Sequence, residues 1–162
     1  MDDEKYIVNG INERQEKVFS TGLKFEKLLV WQKAIDISSK VHQLTLGFPK
    51  EELYVLVSQM KRAADSISLN IAEGSQGQSD PETSRFLSYA LRSACEVVNC
   101  LHIAASRGLI DENQFKDLSA LLVEEIRMIQ SFRRSISPKN DLAKEQEIKY
   151  ETENNYDGIY VR

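Results

Sequence analysis

The chain has 162 residues, with 21 Lys and Arg against 25 Asp and Glu for a formal charge of −4, and an isoelectric point near 5.3. That length is enough for one domain with a substantial core but not for two, and the acidic balance excludes a chain coated in positive charge for nonspecific nucleic-acid binding. Only seven Gly and three Pro interrupt long helical patterns, which points to an all-α fold.

Neither end is a basic arm: residues 1–24, 25–137 and 138–162 carry −1, −1 and −2. The N-terminal run MDDEKYIVNGINERQ is acidic and lacks a hydrophobic stretch. No segment is long enough to span a bilayer, so the expected compartment is the cytoplasm. Cys95 and Cys100 lie five apart on one predicted helix and point in different directions, which reads as two separate, buried, reduced thiols.

Residues 1–24 mix charges, Asn and Gly without periodicity and read as a flexible leader, with at most a short helical turn over 13–19. The first helix is predicted over 25–46, with Leu28, Trp31, Ala34, Ile35, Ser38 and Val41 recurring at helical spacing. Gly47, Phe48 and Pro49 stop it, and Phe48 is expected to turn inward as a plug. The second helix starts at Glu51 or Glu52, where acidic residues suit the helix dipole, and is expected to end at Gly74 in a left-handed cap. A polar connection over 75–80 follows. Asp80, Pro81 and Glu82 open the third helix, which runs to Ser106 or Arg107 before Gly108 and buries Phe86, Ala90, Ala94, Val97, Leu101 and Ala104. Asp111 caps the fourth helix, whose core residues are Phe115, Leu118, Leu122, Ile126, Ile129 and Phe132 to about Ile136. Ser137 and Pro138 break it, and the remainder reads as a charged flexible tail. Four helices of about 22–26 residues, each roughly 35 Å long, fit an antiparallel up-down-up-down four-helix bundle over 25–137.

The second helix carries two stripes. Leu56, Met60, Ala63, Ala64, Ile67 and Ile71 form its core face. Gln59, Arg62, Ser66, Asn70 and Glu73 fall within roughly 80° beside it, with Val55 and Leu69 among them, and all five are expected to be partly buried. A similar polar stripe, Arg85, Tyr89, Arg92, Glu96 and Asn99, lies on the third helix. One role for these residues is charge-assisted bonding of Arg62 with Glu73 and of Arg85 with Glu96, which would set helix register or join subunits. Another is a phosphate-binding surface of Arg62, Arg85 and Arg92 with Tyr89 stacking on an unpaired base.

The segment SQMKRAADSISLNIAEGS resembles the hallmark of the four-helix-bundle family associated with intervening sequences of 23S ribosomal RNA genes, also called S23-like. The likeness continues through FEKLLVWQKA and TLGFPKEELYVL upstream and RFLSYALRSACEV downstream, covering roughly 25–137. It departs at Arg92, where members of the family often carry Gly. The resemblance implies homopentameric rings and, through the related accessory proteins of diversity-generating retroelements, contact with nucleic acid. Those accessory proteins are markedly basic, unlike this chain.

Catalytic and metal constellations are missing from the sequence. The Glu-x-x-His elements of a di-iron bundle would need Glu where Ser39 and Asn99 precede His42 and His102. Ser66 and Ser93 have no recognisable His partner, and no phosphate loop is spaced correctly. The expectation is therefore a non-enzymatic, self-associating helical scaffold without metal or cofactor, partnered by itself and by RNA or a ribonucleoprotein. A protein-binding adaptor without nucleic-acid contact is the rival expectation.

Overall fold

The computed structural model describes residues 20–77 and 79–136. Four α-helices carry the chain there: α1 (Leu29–Leu44), α2 (Ser58–Ser75), α3 (Asp80–Ser106) and α4 (Glu112–Ile136), and no strand occurs among the described residues. Each helix packs on its sequence neighbour, and α1 closes the ring against α4. This is an antiparallel up-down-up-down four-helix bundle. The expected tail over 138–162 and the expected turn over 13–19 lie outside the described residues, as does all of the leader but 20–24.

The core follows from apolar spacing. Met60, Ile67 and Ile71 of α2 are fully buried against Ile37 of α1, Leu87 and Leu101 of α3, and Leu122 and Ile129 of α4. Each such side chain contributes about 1.5–3 kcal/mol by leaving water. All six expected core residues of the second helix are buried, Leu56 in the turn that precedes α2 and the other five on α2 itself.

On α1 the buried face is rotated from the expected one. Val30, Ala34, Ile37 and Val41 face inward; Trp31, Leu28 and Ser38 are half-buried, and Ile35 is 41% exposed. The helix also begins later than expected. Glu26 accepts hydrogen bonds from the Ser20 and Thr21 hydroxyls and from the Thr21 and Gly22 amides, which fixes a separate 3-10 turn over Lys24–Lys27. Leu28 is then extended, so α1 starts at Leu29 rather than at 25. Its far end tightens into a second 3-10 turn over Thr45–Gly47, and Phe48 packs half-buried against the core.

The entry to α2 is also irregular, with a 3-10 turn over Lys50–Glu52 and a π-helical turn over Leu53–Val57 before the α-helix. Arg107, just after α3, anchors this entry by donating from Nη1 to both carboxylate oxygens of Glu52 at 2.9 and 2.8 Å.

Gly74 is not the left-handed cap the sequence suggests. The helix continues to Ser75, and positive φ among the described glycines belongs to Gly22 and Gly108. Gly74 is instead buried where α2 meets the start of α3, and a Cβ there would sit 2.9 Å from the Phe86 Cβ. Gly108, with φ of 68°, does end α3. Asp111 caps α4 reciprocally: its carboxylate accepts from the Gln114 amide at 2.8 Å, and Gln114 Oε1 accepts from the Asp111 amide at 2.9 Å.

The cysteines differ. Cys100 is buried, and its thiol is pushed up by burial and by the nearby Glu96 carboxylate. Cys95 is exposed, contrary to the expectation for both, because it is one residue past Ala94, about 100° around the helix from the buried row Ala94, Val97, Leu101.

Candidate interaction surface on the second and third helices

The two polar stripes meet along the α2–α3 seam. Ser93 Oγ on α3 lies 2.9 Å from Ser66 Oγ on α2. One turn further, Asn70 Nδ2 donates to the Ser66 carbonyl at 2.7 Å and to its hydroxyl at 2.9 Å. Two turns the other way, Gln59 Nε2 donates to Glu96 Oε1 at 3.2 Å. Small side chains at this seam let the backbones approach closely, and hydroxyls satisfy one another where a longer polar chain would not fit.

Ser66 and Asn70 are half-buried in that network, whereas Gln59, Arg62, Glu73, Arg85, Tyr89, Arg92 and Glu96 are exposed. The intramolecular charge pairs weighed from the sequence are not formed. Among the described residues, Arg62, Glu73, Arg85 and Arg92 have no ion-pair partner. Arg62 and Glu73 are three turns apart on one helix, too far to touch. Arg85 instead lies over the Phe86 ring at 5.3 Å, and the Phe86 and Tyr89 rings meet edge to face at 6.0 Å. Register is thus set by hydroxyls and amides, and the charges point outward.

Apolar groups are exposed on and beside this surface. Leu69, between Arg62 and Glu73 on α2, is 65% exposed, and Tyr89 is 41% exposed. At the α1–α2 turn, Leu46 and Tyr54 are 79% and 88% exposed.

Two clusters elsewhere concern catalysis. Asp65 on α2 accepts from the Ser38 hydroxyl at 2.5 Å, and His42 Nε2 lies 3.2 Å from the same carboxylate oxygen. Both Ser and His therefore bond to the acid, so His42 is not placed by this contact to take a proton from Ser38. His102 packs edge to face on Phe115 at 4.9 Å. Among the described residues no group of three His, Cys, Asp or Glu stands ready for a metal ion, and no helix is long and apolar enough to cross a membrane.

Glu125 is not among the core residues expected from apolar spacing. It takes a core position on α4, between Leu122 and Ile129 at spacings of three and four, and is fully buried, while the expected core residue Ile126 is half-buried. The sequence signal was its place in the 118, 122, 125, 129 series, which is a better helical stripe than one passing through 126.

The fold and the seam define a helical-bundle protein in which Ser66, Asn70 and Ser93 bond to one another where the second and third helices meet. The family model of the 23S rRNA-intervening sequence protein matches residues 26–131, and the chain belongs to that family. A crystal structure of a protein with unknown function from the S23 ribosomal protein family of Bacteroides thetaiotaomicron has the same fold, with a TM-score of 0.59 and 21% identity. The match covers 65% of this chain and 98% of that one. No curated protein matches the chain.

Proposed function

We propose that this chain is a non-enzymatic, self-associating scaffold whose α2–α3 surface joins copies of itself, and that the assembly is associated with RNA or a ribonucleoprotein. The observation that carries the proposal is the exposure of Leu69 and Tyr89 beside outward-pointing Arg62, Arg85, Arg92 and Glu73, whose charges are unpaired among the described residues. Charges of both signs around apolar groups suit a repeated contact in which Arg on one copy meets Glu on the next. Family resemblance favours a ring of five. Where the arginines stay free after assembly they would bind phosphates, with Tyr89 stacking on an unpaired base.

The test is light-scattering mass of the full chain, its Leu69→Asp variant and its Arg62→Ala variant, with fluorescent structured and single-stranded RNA titrated at low and physiological salt. An oligomer that Leu69→Asp reduces to monomer supports self-association by this surface. An unchanged mass in both variants overturns it. Salt-sensitive RNA binding that falls in Arg85→Ala and Arg92→Ala variants of unchanged mass supports the RNA association; an intact oligomer that binds neither RNA at low salt overturns it.

A protein-binding adaptor is the second reading, favoured by the apolar tip at Leu46, Leu53 and Tyr54. It predicts that a Tyr54→Asp variant keeps its mass and loses a protein partner.

A further inference from the structure

Glu125 sits where the spacing of α4 calls for Leu or Ile. It has no exposed surface, and among the described residues neither carboxyl oxygen has a hydrogen-bond partner. The helices packed on α4 offer it no ionised group from their buried faces: Val30, Ala34, Ile37 and Val41 on α1, and Leu87, Ala90, Ala94, Val97, Cys100, Leu101 and Ala104 on α3. The Cys100 thiol is itself held protonated by burial. Two charges reach Glu125 from the rim. Lys33 on α1 favours its ionised form, and Glu124 on its own helix opposes it. Lys33 is engaged elsewhere, with Nζ 2.5 Å from Glu124 Oε2, although its side chain is only 18% exposed. Burial outweighs Lys33, and the Glu125 carboxyl is pushed up to about 8.

We propose that Glu125 is a proton-operated latch on the α1–α4 seam, neutral in the closed bundle, whose ionisation draws Lys33 away from Glu124 and parts α4 from α1. The physical reason is that an unpaired carboxylate cannot remain among Ala and Ile side chains. Lys33 is the cation that acts on it, and its present partner is the adjacent residue of α4. Exchange therefore needs a rotation of the Lys33 side chain and enough separation of the two helices to admit an ammonium group. The direction with pH follows from linkage. In the closed bundle the carboxyl titrates near 8 and in the opened one, beside Lys33, no higher than its ordinary 4.5, so the closed state loses ground as pH rises from 4.5 to 8. Across that interval the opened population grows about tenfold per pH unit.

The experiment is a carbon-detected NMR titration of the Glu125 carboxyl in the full chain. It is combined with amide hydrogen exchange of α4 between pH 5 and 8, corrected for intrinsic exchange rates, in the wild type and in Glu125→Gln. The latch predicts titration far above the ordinary carboxylate range. It also predicts α4 opening that rises close to tenfold per pH unit in the wild type and stays flat in Glu125→Gln. In Lys33→Met, which lacks the rim cation, the carboxyl should titrate higher still. Titration of Glu125 near 4.5, or the same pH dependence of α4 opening in wild type and Glu125→Gln, overturns the proposal. If Glu125→Gln does not fold, exchange in the wild type decides: α4 opening that is flat between pH 5 and 8 overturns it.

Discussion

Ser66 on α2 and Ser93 on α3 meet hydroxyl to hydroxyl at 2.9 Å, and Asn70 donates into the same oxygen of Ser66. This contact fixes how closely the two helices approach and which residues are turned outward. Arg62, Leu69, Tyr89 and Arg92 are exposed because Ser66 and Ser93 occupy the seam between them.

Enlarging the seam should be costly. Ser93→Leu inserts a bulky side chain between the helices and leaves the Ser66 hydroxyl with Asn70 alone, for an expected loss of about 1–3 kcal/mol. Ser93→Ala removes the hydroxyl's contacts with Ser66 and with the Tyr89 carbonyl without adding bulk, and should lose about 1 kcal/mol. Urea unfolding of the two variants checks the order; a Leu variant as stable as the Ala variant would show that the seam has room.

At the other end of the seam, Gly74→Ala sets two effects against each other. Ala improves helix propensity by about 1 kcal/mol. Its Cβ, however, would lie 2.9 Å from the Phe86 Cβ and 3.4 Å from the Thr83 carbonyl oxygen. Both are at or next to the backbone, so relief requires α3 to move, at about 1–3 kcal/mol. The expected outcome is a net loss of about 1 kcal/mol in thermal or urea unfolding.

Glu125 makes the bundle less stable at neutral pH than its packing allows. With the carboxyl raised from 4.5 to about 8, the cost grows between those values and reaches about 3 kcal/mol at pH 7. Glu125→Met should therefore raise stability by about 2–3 kcal/mol at pH 7 and by much less at pH 5. Urea unfolding at both values measures the difference; equal gains at the two would assign the effect to packing alone.

Glu26 has the opposite sign. Hydrogen bonds from Ser20, Thr21 and Gly22 lower its carboxyl from 4.5 to about 2. The order it gives to the turn before α1 is complete above pH 4.5 and is lost as pH falls through 2. Amide exchange at Thr21 and Gly22 should rise over that interval in the wild type. Glu26→Gln, which cannot ionise, should show no such step.

The helices were legible because each buries one face, and burial imposes a 3.6-residue period on the apolar residues. The core of α2, the stop at Gly108 and the Asp111 cap could be read directly for that reason. The polar stripes were legible as stripes, since Gln59, Arg62, Ser66, Asn70 and Glu73 repeat at helical spacing. Their division into seam and outer surface was not. Spacing gives a residue's angle about its own helix but not the distance to the next one, so Ser66 and Arg62 looked equivalent.

The amino-acid sequence by itself determined that this chain forms four amphipathic helices broken at Gly47–Pro49, between the second and third helices ahead of Asp80, and at Gly108, because periodicity, proline and capping act within a few residues. Only the tertiary structure decided the inward face of α1, the role of Gly74 and the burial of Glu125. Each depends on atoms from another helix: the packing of α2 and α4 on α1 selects its inward face, Phe86 leaves no room for a Cβ at Gly74, and the packing of α1 and α3 on α4 turns Glu125 inward while leaving its neighbour Ile126 half-exposed.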